Sequence, residues 1–163
     1  MLTAAALREL LDYDPATGVF RWRVARSNRV KVGQETGCLN AYGYKVIGIH
    51  GRVLQASRLA WLYMTGAWPE HDIDHINGAP ADNRWENLRA ATRSDNQCNR
   101  RKQSNNKSGF KGVHFDQKRG MWRARIAKRG RGIDLGFFER AEDAGRAYQA
   151  AAERVHGDFA RSQ

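Results

Sequence analysis

Cysteine is nearly absent from this chain. Cys38 and Cys98 stand far apart and no Cys-x-x-Cys pair occurs. That excludes a zinc ribbon legible from sequence and allows at most one disulfide. Two reduced thiols and no structural zinc are expected. Long apolar runs are missing too: no stretch of about 18 apolar residues is present, so no membrane span is expected. Met1–Leu11 has neither a basic leader nor a signal-type apolar core. No signal peptide is therefore expected, and the anticipated location is the cytoplasm of whatever cell makes the protein. Acidic residues are scarce relative to basic ones, 17 Asp+Glu against 28 Lys+Arg, a net charge of +11.

That imbalance is the first functional signal, because a basic surface concentrates polyanions and speeds encounter with them. It is also localised. Arg100–Gln163 holds 16 basic and 7 acidic residues, a net of +9, and the remaining 12 and 10 leave residues 1–99 at only +2. The C-terminal third is the expected electrostatic footprint on nucleic acid. A membrane-surface role fits less well, since the basic residues are spread over turns and strand-like runs and not along one amphipathic helix. Otherwise the composition is globular, with 41% hydrophobic and 28% charged residues in 163, enough for one domain or two small ones.

Periodicity gives the organisation. Residues 1–70 are a mixed α/β segment. Leu2–Leu11 suits a short helix, and Gly18–Arg23 alternates like a strand after the Asp14–Gly18 turn. Tyr44–Ile49 and Val53–Gln55, joined by His50-Gly51-Arg52, suit a hairpin. Arg58–Thr65 has helical spacing and stops at Gly66. Residues 100–108 contain no hydrophobic side chain and read as a basic linker. Beyond it lie three strand-like runs, Lys111–Asp116, Met121–Lys128 and Ile133–Phe138. Lys118-Arg119-Gly120 and Arg129–Gly132 are the turns between them. A helix follows from Arg140, with Ala141, Ala144, Ala147, Tyr148, Ala151, Ala152 and Val155 on one face. This is a three-stranded antiparallel sheet packed on one helix, and the fold class expected for the whole chain is α+β.

Residues 71–99 hold the densest set of reactive side chains. Ile73–Ile76 is strand-like, Asn77-Gly78 opens a turn, and Asn87–Ala91 can return as a second strand. Thr92 and Asp95 resemble a capping box for a helix. The result is a ββα unit that sets Asp74 and His75 at a strand end, facing Asn96 in the first helical turn. Phosphodiester hydrolysis needs a base for the attacking water and a cation for the charge that builds on the phosphate. A histidine near neutrality suits the first task, and a carboxylate with an amide oxygen suits Mg²⁺ or Mn²⁺ for the second. By residue type alone, a turn histidine bonded within its own strand pair is the stronger reading of His75. His50, His71, His114 and His156 have no comparable partners, and Trp61, Trp68 and Trp85 are expected in the core.

The run Asp74-His75-Ile76-Asn77-Gly78, then Asn83-Arg84-Trp85-Glu86-Asn87-Leu88, then Thr92-Arg93-Ser94-Asp95-Asn96, resembles the HNH endonucleases, in particular their phage and intron-homing branch. Ser57–Tyr63 is similar to the segment that precedes this motif there. The resemblance implies a ββα-metal module in which His75 is the general base and Asn87 braces the loop that holds it. It implies Asp74 and Asn96 as ligands of one divalent metal ion, Mg²⁺ or Mn²⁺, with Asn99 a neighbour on the helix. The segments Gly109–His114, Met121–Ile126, Leu135–Phe138 and Ala141–Tyr148 resemble an Apetala-two/ethylene-response-factor DNA-binding domain over about residues 109–160. That family inserts the sheet face away from its helix into the major groove, which implies Lys111, His114, Arg123 and Arg125 as contacts. Asp116 and Asp134 stand at positions where the plant factors carry arginine and tryptophan, so their base preference is not carried over.

The expectation is a metal-dependent DNA endonuclease, nicking or cutting both strands, of phage or mobile-element homing type. Its partner is double-stranded DNA, with no membrane and no small-molecule cofactor, as monomer or homodimer. A DNA-binding, transcription-type protein that has lost catalysis is the rival reading, argued against by the intact Asp74, His75, Asn87 and Asn96. An RNase or nuclease toxin is a further rival, disfavoured by the duplex-reading second module.

Overall fold

The computed structural model describes residues 1–25, 30–92, 96, 106–128 and 131–156. The chain divides into two compact units, Met1–Ala91 and Thr92–Gln163, each with a hydrophobic core of its own.

The first unit opens with helix α1, Ala4–Leu10, whose start is fixed by Thr3: the Thr3 Oγ1 accepts from the Ala6 amide at 3.2 Å. Strand β1, Leu11–Asp14, follows at once and pairs antiparallel with β2, Val19–Trp22, in the register Leu11↔Trp22 and Tyr13↔Phe20. These four alternate residues are buried, as the two-residue period of a half-buried strand requires. Asp14 closes the connecting turn. Its carboxylate accepts from Ala16 N at 2.9 Å and Thr17 Oγ1 at 2.7 Å, and Gly18 takes the left-handed conformation.

Two short strands, β3 (Glu35–Thr36) and β4 (Cys38–Leu39), lead to the hairpin of β5 (Lys45–Ile49) and β6 (Arg52–Gln55). His50 (φ 48°) and Gly51 (φ 74°) form its two-residue turn. Positive φ at both positions matches the right-handed twist of the strands. Helix α2, Ala56–Thr65, buries Ala56, Ser57, Leu59, Ala60 and Leu62, and stops where Gly66 turns left-handed and donates to Leu62 O at 3.0 Å. Strand β7, Asp72–His75, pairs with β8, Leu88–Ala91, with a turn of 3₁₀ helix at Trp85–Asn87 just before β8. Ile73 and Leu88 belong to the same core as Leu7, Leu11, Phe20, Ile47 and Leu59. Trp61, Trp68 and Trp85 are partly buried against it. The hairpin that carries Asp74 and His75 is thus anchored in the main core.

The second unit contains β9 (Val113–Asp116), β10 (Met121–Lys128) and β11 (Arg131–Phe138), antiparallel in the order β11-β10-β9, and helix α3, Ala141–His156. Ala144, Tyr148, Ala151 and Ala152 on one helix face pack with Val113, Ala124 and Ile126. Small side chains let helix and sheet approach closely: a Cβ on Gly145 would overlap the Phe110 ring. The sheet departs from the sequence expectation at both ends. β9 starts at Val113, not Lys111, and β11 starts at Arg131, so Arg131 and Gly132 pair with Lys128 and Ala127 instead of forming the turn. Pairing with the long central strand extends β11 where glycine and arginine alone would have signalled a loop.

Gly112 is the tightest point. It has φ 69°, and a Cβ there would overlap the Tyr148 ring and the Arg125 carbonyl oxygen. Gly112→Ala is expected to destabilise this unit by about 2–4 kcal/mol, combining left-handed strain with overpacking. The check is a lower denaturation midpoint at unchanged denaturant slope. A midpoint equal to that of the wild type would contradict the packing described.

Candidate active site and nucleic-acid face

In β7 every residue after Asp72 is buried, including Asp74 and His75, each 5% exposed. Asp74 lies opposite Arg89 of β8, and the guanidinium answers it: Nε and Nη2 of Arg89 donate to Asp74 Oδ2 at 2.9 and 2.8 Å. Burying this carboxylate is tolerable because a partner charge and directed hydrogen bonds accompany it. Oxygen donors of this kind fit a hard divalent cation. Among the described residues no group of three or more His, Cys, Asp or Glu forms a metal cage. A cation here would therefore rely on few protein donors, as Mg²⁺ commonly does when water and phosphate complete its shell.

His75 ends the strand, and its Nε2 lies 3.2 Å from the Oδ1 of Asn83. Burial pushes the imidazole below its ordinary pKa, while the Asn83 bond and the charges of Asp74 and Asp82 pull the other way. The net direction favours a neutral ring at physiological pH, the form that accepts a proton.

The loop between the strands is held by a network of side chains. Asn87, itself buried, accepts from the Asn77 amide at 2.9 Å through Oδ1 and donates from Nδ2 to the Asp82 carbonyl at 2.8 Å. Asn77 spans the same loop, donating to Asp82 Oδ2 at 2.7 Å and accepting from the Ala79 amide at 2.8 Å. Arg84 clamps Asp82 with Nε and Nη2 at 2.9 and 2.8 Å. That hydrogen bonding lowers the Asp82 pKa to about 2. Gly78, with φ 63°, makes the tight turn after His75 and donates to the His75 carbonyl at 2.7 Å.

Asp74, His75 and Asn87 are thus brought together on one hairpin. Asn96 belongs to the second unit and is partly buried in a helical turn, its amide donating to Thr92 O at 2.9 Å. Asp95, Cys98, Asn99 and residues 100–105 of the expected linker lie outside the described residues, as do Arg129, Gly130 and Gly157. Asn83 and Arg84 stand in the run that carries the HNH resemblance, but sequence reasoning gave neither of them, nor Arg89, a role in the site. Only the cross-strand position of Arg89 opposite Asp74 could have been read from a correct register.

A comparison with family models matches residues 54–98 to the HNH endonuclease family. The matched span runs from the last two residues of β6 through α2 and both strands of the site hairpin, and includes all four of Asp74, His75, Asn87 and Asn96. Protein 3.8 of Escherichia phage T7 is 32% identical over 102 residues, covering 62% of this chain and 84% of that protein. This chain belongs to the same family as Protein 3.8 and carries an HNH endonuclease domain. The HNH domain points to a nuclease, with DNA as the substrate class. No solved structure matches it.

Outside the HNH domain, the second unit presents the remaining expected contacts. His114, Arg123 and Phe137 are neighbours across the three strands, and Arg125 pairs with Asp134 one step along. Alternation puts Ala124 and Ile126 under the helix and Arg123 and Arg125 on the opposite face. Arg123 is committed to the sheet: its Nε donates to Asp134 Oδ2 at 2.8 Å, its Nη2 bonds the same oxygen, and its guanidinium lies over Phe137. Arg119 stacks on Phe137 as well, 4.5 Å from the ring centre. Lys111 precedes β9 and lines a recess with Phe110, Glu142 and Gly145, so it is not grouped with the other three. No described helix is long and apolar enough to cross a membrane.

Proposed function

We propose that this protein is a metal-dependent DNA endonuclease of the phage or mobile-element homing type, with His75 as its general base. The observation that carries the reading is the buried His75, neutral in tendency, beside the buried Asp74 at the end of β7, inside the HNH span. The neutral imidazole takes the proton of the water that attacks phosphorus. Asp74 and Asn96 would hold one Mg²⁺ or Mn²⁺ ion. When bound, such an ion stabilises the charge that develops on the phosphate and the leaving oxygen. Arg89 orients the Asp74 carboxylate, and Asn87 holds the loop so that the backbone around His75 keeps its direction. Residues 109–160 act as the docking module on double-stranded DNA, in the manner of an Apetala-two/ethylene-response-factor domain. His114, Arg123 and Arg125 meet the duplex from the open sheet face, and Lys111 adds a contact from the turn before β9. The antiparallel three-stranded sheet over one helix and the +9 charge of residues 100–163 support that part.

Asp74→Ala and Asn96→Ala are each expected to raise the Mn²⁺ or Mg²⁺ concentration needed for half-maximal cleavage. Asp74→Ala has the larger effect because it removes the formal negative charge. The measurement is cleavage rate against metal concentration. Wild-type metal curves for both variants would contradict these ligands.

A further inference from the structure

The Asn83 side chain is 2% exposed, so both ends of its amide need partners. Its Nδ2 donates to the Ala81 carbonyl at 3.1 Å, which leaves Oδ1 directed at His75 Nε2, 3.2 Å away. An amide oxygen only accepts. Nε2 therefore carries the ring proton in the neutral imidazole, and the basic lone pair falls on Nδ1. The Asn83 side chain, eight positions along the loop, thus selects the tautomer and helps to direct a ring that also lies 6.0 Å from the Tyr44 ring, centre to centre.

Asn83 is in turn held from outside the HNH span. The hydroxyl of Tyr13, in β1, donates to the Asn83 carbonyl at 2.7 Å, and Tyr13 is 4% exposed. Two residues on, the Trp85 amide donates to the Pro15 carbonyl at 2.9 Å. Gly18 lies against the same peptide: a Cβ there would overlap the carbonyl carbon of Asn83 and the nitrogen of Arg84. Three contacts thus join the β1–β2 hairpin to residues 83–85. None of them uses Asn87, which ties the other side of the loop.

We propose that Asn83 is a positioning residue that locks the ring of His75, and that the β1–β2 hairpin, through Tyr13, Pro15 and Gly18, is the support that keeps Asn83 in place. This rests on His75 being the base. It gives the N-terminal segment a part in the reaction through the loop it braces.

The test has two readouts on the full chain. Two-bond ¹⁵N–¹H correlation spectra of the metal-free protein, with the ring neutral, report which nitrogen of His75 carries the proton. Steady-state cleavage in Mg²⁺ separates kcat from KM. Wild type is expected to show the proton on Nε2. Asn83→Ala is expected to average the two tautomers and to lower kcat by about 10–100-fold, as loss of a group that orients a reacting one commonly does, with KM for DNA nearly unchanged. Asn83→Asp retains an acceptor and restores the Nε2 signature. Should Asn83→Ala fail to fold, Tyr13→Phe removes a single hydroxyl and is expected to give partial averaging with a several-fold lower kcat. An unchanged His75 signature in either variant would overturn the positioning role. A released ring with undiminished cleavage would overturn the proposal by a separate route, showing that His75 is not the base.

Discussion

Replacing His75 with alanine is expected to lower the cleavage rate by about 10²–10⁴ and to leave DNA affinity as it was. The size of the loss follows from what is removed. A positioned base takes a proton from water during attack, and a methyl group cannot. Affinity is spared because His75 is 5% exposed at the end of a strand anchored in the core, and the basic excess of the chain lies in residues 100–163. The substitution also leaves Asn83 Oδ1 without its donor, at about 1–3 kcal/mol for a buried acceptor. Thermal unfolding is therefore measured beside cleavage and binding. A folded His75→Ala protein that cuts at the wild-type rate would remove His75 from the mechanism.

Deleting everything after Lys107 is expected to have the next largest effect, on recognition instead of chemistry. The deletion removes most of the basic excess that begins at Arg100, and all of β9 to β11 and α3. Every phosphate that is no longer neutralised flattens the dependence of log affinity on log salt by about 0.9. The shortened protein should bind more weakly, with a shallower salt slope and poorer site choice. Slow nicking should persist at high protein concentration, because the hairpin of Asp74 and His75 and its core lie within Met1–Ala91. Binding measured from low to high salt checks the slope, and cleavage mapping checks site choice. The same slope and the same sites after truncation would place the reader in residues 1–70.

Much of the framework was legible because its signals are local. The β5–β6 hairpin follows from alternation on either side of His50-Gly51, α2 ends at the glycine that marked its stop, and β10 spans Met121–Lys128 as its pattern indicated. The strands around Asp74 and Asn87 lie within a residue of where they were expected. Strand β1 was not legible. Leu11–Asp14 follows the helix without a break, and only pairing with Val19–Trp22 makes it a strand. The two-residue strands β3 and β4 are too short to carry a period. Within the site, the identities of Asp74, His75 and Asn87 came from a motif, but their partners did not. The bond from Arg89 to Asp74 depends on strand register, and that from Asn83 to His75 on the path of a loop. Tyr13 reaches the same loop from 70 residues away, a distance no local pattern encodes. The Asp134 partner of Arg123 likewise emerges only from the pairing of β10 and β11.

The most direct test of the central claim is incubation of the full-length protein with supercoiled plasmid and Mg²⁺, with and without EDTA. The account predicts conversion to open-circle or linear DNA with Mg²⁺ and none with EDTA. Plasmid that stays supercoiled while the protein demonstrably binds it, or cleavage that continues in EDTA, would contradict it.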